Sequence, residues 1–171
     1  MPSRHVVVMG VSGAGKSTVA AALADRLGLP FAEGDEFHGP TSRAKMAAGV
    51  PLDDDDRWEW LAALRDWMTA HCGEGSVVAC SALRRGHRDV LAGAAGDVLF
   101  VLLDVPADEL RSRMAAREGH FMPASLLDSQ LATLEPLADE EPGFTVPATG
   151  APDLVVERVL ALLAPAPPRV S

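Results

Sequence analysis

Asparagine, isoleucine and tyrosine are absent from this 171-residue chain, and lysine and cysteine each occur only twice. Without Asn, the chain cannot contain the Asn-Lys-x-Asp motif by which many nucleotide-binding proteins read guanine. Cys72 and Cys80 lack zinc-ligand spacing, and with no secretory signal in view they read as reduced thiols of a cytoplasmic protein, with no disulfide. Long hydrophobic runs are missing too. Val6 to Met9 is too short for a signal-peptide core, and apolar stretches elsewhere are interrupted within about ten residues, which excludes a membrane span. Basic charge is scarce: 15 Lys and Arg against 24 Asp and Glu leave a net charge of −9, a field that repels nucleic acid and anionic membranes. Any phosphate ligand therefore needs a local site. Against these absences stand 48% apolar residues, enough to bury a core. The length fits a single domain, expected over residues 1–164, followed by a proline-rich, frayed tail at 165–171.

Short apolar runs alternate with amphipathic stretches. Val6 to Met9, Leu29 to Ala32, Ser76 to Cys80, Val98 to Leu103 and Phe144 to Val146 read as buried strands. Between and after them, Gly15 to Leu27, Asp54 to Cys72, Gly86 to Leu91, Ala107 to Arg117, Pro123 to Leu134 and Pro152 to Leu163 read as helices. Gly28 closes the first helix, and the Asp53 to Asp56 run caps the second and complements its dipole. Such alternation predicts a three-layer α/β domain with a five-stranded parallel sheet, its ligand site at the carboxyl ends of the strands.

Between the first strand and helix, Gly10-Val11-Ser12-Gly13-Ala14-Gly15-Lys16-Ser17 fits the G-x-x-x-x-G-K-[ST] phosphate loop without mismatch, and Thr18 follows. Glycines let backbone N–H groups curl around an oxyanion, and the helix that opens after them points its positive end at the phosphates. Lys16 adds a charge for the β and γ phosphates, and the Ser17 hydroxyl can ligate Mg²⁺. ATP and Mg²⁺ are the expected ligands. The acids Glu33 and Asp35 follow the second strand at the mouth of this site. Asp35 is positioned either to accept a proton from a substrate hydroxyl or to cap a helix. Glu33 either holds a Mg²⁺-bound water or is an exposed strand-end acid.

Several further stretches carry a resemblance. Met9 to Thr18, Glu33-Gly-Asp-Glu-Phe-His38, Lys45 to Trp58, Trp60-Leu61, Cys80-Ser-Ala-Leu-Arg-Arg85, Arg88-Asp89 and Gly119-His-Phe-Met122 resemble, in order, the gluconokinase family. The resemblance implies a phosphate-loop fold of the shikimate and nucleoside monophosphate kinase type, with a substrate flap near residues 36–70 and a lid near 113–125. It also implies ATP- and Mg²⁺-dependent phosphorylation of D-gluconate on its 6-hydroxyl, and a homodimer. Two positions depart from the family: Glu33 stands where Asp is common, and His87 where Tyr is frequent.

On these motifs Lys45, Arg57 and Arg84 are the cations for a substrate carboxylate, with His38 and Gln130 as polar partners; each has a solvated or structural role as its rival. Asp54 or Asp56 is expected to orient Arg57. Arg113 and Arg117, four residues apart on one helical face, resemble the lid arginines of nucleoside monophosphate kinases. That carries Arg113 toward the base and Arg117 toward the γ-phosphate, against the alternative of helix-surface pairs with Asp108 or Glu109. Gly119 would hinge the lid beside His120 and Phe121. Lys16, Asp35 and Arg117 are then the catalytic set. Trp58, Trp60 and Trp67 fall at packing positions of their helix. Alternative readings are a kinase for another hydroxy acid such as shikimate, although its Gly-Gly-Gly turn is replaced by Ser81-Ala82-Leu83, and a non-catalytic nucleotide-binding regulator.

Overall fold

A computed structural model of the chain describes residues 3–116 and 124–164. Its strands are β1 (Arg4–Met9), β2 (Phe31–Glu33), β3 (Ser76–Ala79), β4 (Asp97–Asp104) and β5 (Gly143–Pro147). The helices are α1 (Lys16–Leu27), α2 (Pro40–Ala47), α3 (Asp54–Ala70), α4 (Arg85–Ala92), α5 (Ala107–Ala116), α6 (Ala124–Thr133) and α7 (Pro152–Leu163). The strands form one parallel sheet in the order β2-β3-β1-β4-β5, with Val7 of β1 in register with Val78 and Phe100. Among the described residues no helix is long and apolar enough to cross a membrane.

The period-2 geometry of β1 explains the three layers. Val6 and Val8 join Leu23 of α1 and Val159 of α7 in one core, whereas Val7 and Met9 join Leu61, Leu64 and Met68 of α3 and Leu91 of α4 in the other. A strand buried on both faces requires such cover. Leu64 is fully buried, so Leu64→Ala would cost about 2–5 kcal/mol as lost transfer energy and a cavity.

The five expected strands are all present, and most boundaries agree within a residue or two. The second strand starts later than Leu29, because Pro30 has no N–H for the ladder; its carbonyl instead accepts from Val77 N at 2.9 Å. Helix α2 and the 3₁₀ turn Gly34–Phe37 were not expected from the sequence. The tail beyond residue 164 and residues 117–123 of the expected lid lie outside the described residues.

All strands run the same way, so the carboxyl ends of β1, β2 and β3 meet at one edge. The end of β2 comes very close to β3: a Cβ on Gly34 would lie 2.5 Å from the Ala79 carbonyl oxygen. Only glycine fits there, and it carries Glu33 and Asp35 to the edge where β1 ends.

Candidate active site

The Gly10–Ser17 loop links β1 to α1. Its last turn needs Gly15, which stands at the helix N-cap in the left-handed region at φ 90°. No residue of the first turn of α1 is acidic, so the helix brings no negative charge of its own to the positive end of its dipole. Lys16 Nζ donates to the Val11 carbonyl at 3.1 Å across the loop. Ser17 Oγ donates to the Glu33 carboxylate. The two residues expected at the metal are thus together, with hard oxygen donors of the type Mg²⁺ takes.

A cleft of about 350 Å³ flanks the loop, lined by Gly13, Gly15, Thr18, Arg113 and Gly150. Arg113 is held in its wall: the guanidinium donates to Gly13 O at 3.1 Å, Ala148 O at 2.8 Å and Glu109 at 2.7 Å. It therefore makes the helix-surface pair with Glu109 while also facing the cleft. Arg117, its expected partner, lies outside the described residues.

On the other side of the sheet edge a cleft of about 760 Å³ is lined by Asp35, His38, Arg57, Arg84 and Gln130, all expected site residues. Asp35 sits in the 3₁₀ turn. It is no helix cap, since Glu33 precedes that turn and Gly39 precedes α2, neither helix having a side-chain cap. His38 stacks on Trp60 at 4.5 Å between ring centroids, and Trp60 Nε1 donates to Gly34 O at 2.7 Å. Burial pushes the His38 pKa below its ordinary value. Gln130 reaches from α6 to accept the Ser12 amide proton at 2.7 Å.

Lys45 does not line this cleft. Its Nζ lies 2.6 Å from Asp56 and 3.3 Å from Asp53, the two acids that form the capping box of α3. Asp56 therefore orients Lys45 rather than Arg57, whose nearest acid is Asp54 at 3.8 Å. The reason is reach: α2, unforeseen in the sequence, brings Lys45 over the start of α3.

Sequence reasoning did not assign His87 to the site, although it lines the cleft. Its spacing of three from Arg84 at the start of α4 was the available signal. Burial, then the charges of Arg57 and Arg84, lower its pKa. A second omission is Arg88, 1% exposed and bidentate to Glu141 at 2.7 and 3.0 Å. Arg88 also donates to Ala82 O at 3.3 Å and Glu135 O at 3.1 Å, tying the β3–α4 wall of the cleft to the segment after α6.

Comparison with known proteins places the chain in a family. A family model described as an AAA domain matches residues 6–137. Gluconokinase from Gluconobacter oxydans (strain 621H) is 50% identical over 159 residues, 92% of this chain and 89% of the relative. An unliganded sugar kinase from Janibacter sp. HTCC2649 superposes with a TM-score of 0.87 at 52% identity, covering 95% of both chains. A gluconokinase from Sinorhizobium meliloti 1021 gives 0.84 at 45% identity over 94% of this chain and 90% of that one. Likeness of this extent over nearly the whole chain shows that the chain belongs to the gluconokinase family of ATP-using phosphate-loop kinases.

Proposed function

We propose that this protein transfers the γ-phosphoryl group of ATP to the 6-hydroxyl of D-gluconate, giving 6-phosphogluconate and ADP. The observation that carries this reading is the make-up of the acceptor cleft, which has Asp35, two residues after the Glu33 that bonds Ser17 of the phosphate loop, and Arg57, Arg84 and His87 together in its wall. A substrate with a reactive hydroxyl at one end and a carboxylate at the other matches that division.

The roles follow from chemistry. Loop amides and Lys16 bind the phosphates, and Lys16 offsets the charge that develops during transfer. Asp35 accepts the proton of the 6-hydroxyl as its oxygen bonds to phosphorus and the bond to ADP breaks. Arg57 and Arg84 hold the carboxylate, and His38 and Gln130 contact the polyol. Ser17, with Glu33 through a bound water, would hold Mg²⁺, which when bound neutralises phosphate charge. Arg113 faces the base, and Arg117 is assigned to the γ-phosphate. Residues 113–125 act as a lid that excludes water, residues 36–70 as a substrate flap, and two copies form a homodimer.

The test is ADP release with gluconate, shikimate, glucitol and no acceptor. Release that requires gluconate supports the reading. A preference for shikimate would move the protein to the alternative hydroxy-acid kinase, and release indifferent to every acceptor would remove the kinase assignment.

A further inference from the structure

Gln130 is the only side-chain amide in the chain, which has no Asn and a single Gln. Its orientation can be read without ambiguity. The Ser12 backbone N–H can only donate, so the Gln130 atom 2.7 Å away is Oε1, and Nε2 is turned elsewhere. Among the described residues neither Nε2 hydrogen has an acceptor, and Gln130 lines the acceptor cleft with Ser129 and Thr133 of the same helix. The helix beneath it is anchored by Leu127, fully buried in the core, and by Asp128, 3.0 Å from Arg111 of α5.

Building on the reading of the cleft as an acceptor site, we propose that Gln130 sets the register between acceptor and phosphate loop by donating from Nε2 to the hydroxyl next to the attacking one. The cleft then pairs an acceptor, the Asp35 carboxylate, with a donor, the Gln130 amide tethered to the loop. A lone hydroxyl satisfies only the first. Two adjacent hydroxyls satisfy both, so the site selects an acceptor that ends in a vicinal diol, which in gluconate is the pair at carbons 5 and 6. Because Oε1 is fixed to Ser12, this contact also holds the diol relative to the loop that carries the phosphates.

The experiment pairs substrate and protein changes. Gluconate and 5-deoxygluconate are compared as acceptors for wild type, Gln130→Met and Gln130→Glu, with kcat, KM for both substrates and Tm recorded. Glu keeps an oxygen for Ser12 N–H but has no donor. For wild type, loss of the 5-hydroxyl is expected to lower kcat/KM about tenfold, the worth of one hydrogen bond at such a site. Gln130→Met, which can neither donate nor accept there, is expected to be impaired on gluconate and indifferent to the 5-hydroxyl, and Gln130→Glu, which can accept from that hydroxyl but not donate to it, is expected to be impaired on gluconate. A Gln130→Glu enzyme resembling wild type would show that Gln130 only tethers α6 to the loop and would overturn the proposal, as would a 5-hydroxyl effect that persists in both variants. The two readings fail separately. If wild type ignores gluconate, the proposed reaction is wrong, and the same comparison is made with the panel acid it does use and that acid's analogue lacking the adjacent hydroxyl. If wild type uses no acceptor at all, both fall.

Discussion

Lys45 Nζ stands 2.6 Å from Asp56, joining the short helix α2 to the first turn of α3. The hydrogen bond to Asp56 raises the Lys45 pKa, and the same bond lowers that of Asp56. On the proposed function, Lys45 would act on the substrate through the shape of the 36–70 flap, because it does not line the cleft itself. Lys45→Met and Asp56→Asn are each expected to raise KM for gluconate about three- to fivefold, the scale of a partly exposed ion pair. KM for ATP should not move, and the double variant should be no worse than either single one. A Lys45→Met loss far larger than that of Asp56→Asn would mean that Lys45 touches the carboxylate itself.

Asp35 caps neither neighbouring helix, which separates its chemistry from its stability. Asp35→Asn keeps the shape and removes the proton acceptor. Turnover at saturating gluconate should fall about a hundredfold or more, in line with a positioned general base. The melting temperature should stay where it is, and added Mg²⁺ should not restore the rate. Recovery at high Mg²⁺ would assign Asp35 to the metal instead.

The phosphate loop and the sheet were legible in the sequence because each has a strong local signature: an unbroken eight-residue motif, and Val-rich runs ending at glycine or acid. Helix α2 had none. Its Pro-Thr-Ser-Arg-Ala-Lys-Met-Ala sequence buries only Ser42, so no apolar period marks it. What holds it is tertiary: Arg43 donates to Glu36 O at 2.6 Å and His38 O at 2.8 Å, and Lys45 reaches α3. The pairing of Ser12 with Gln130 spans 118 positions and Arg88 with Glu141 spans 53, separations that no local pattern encodes. His87 was visible as a polar residue near Arg84, but its place in the cleft wall depends on where α3 sets Trp58 and Arg57 against α4.

Arg88 and Glu141 are both nearly inaccessible, with side chains 1% and 6% exposed. Removing one partner strands a buried charge. Glu141→Gln is expected to cost about 3–5 kcal/mol of stability by chemical denaturation, whereas Arg88→Met combined with Glu141→Leu should recover much of that loss. The guanidinium also lowers the Glu141 pKa below 4.5, so the pair's contribution is present above that value and lost as pH falls beneath it. A double variant weaker than Glu141→Gln would show that the carbonyls around Arg88, rather than its charge pairing, hold the loop.

His38 and His87 each bury an Nδ1 that has no hydrogen-bond partner among the described residues. Burial is the leading cause that lowers both pKa values from 6.5, reinforced at His87 by Arg57 and Arg84 and opposed by Asp54 and Glu135. Between the lowered folded values and 6.5 the unfolded chain binds protons that the native protein refuses. The free energy of unfolding therefore rises with pH across that interval: the stability is complete above 6.5 and drains away as pH falls. Melting temperatures measured from about pH 8 to about pH 5 should be level at first and then decline, before the paired carboxylates, whose lowered values act below 4.5, begin to contribute. His38→Phe retains a ring against Trp60, and His87→Phe retains one against Trp58; each should flatten part of the decline, and the two together most of it. A wild-type melting temperature that holds or rises on acidification to about pH 5 would mean that both imidazoles are already charged in the native cleft.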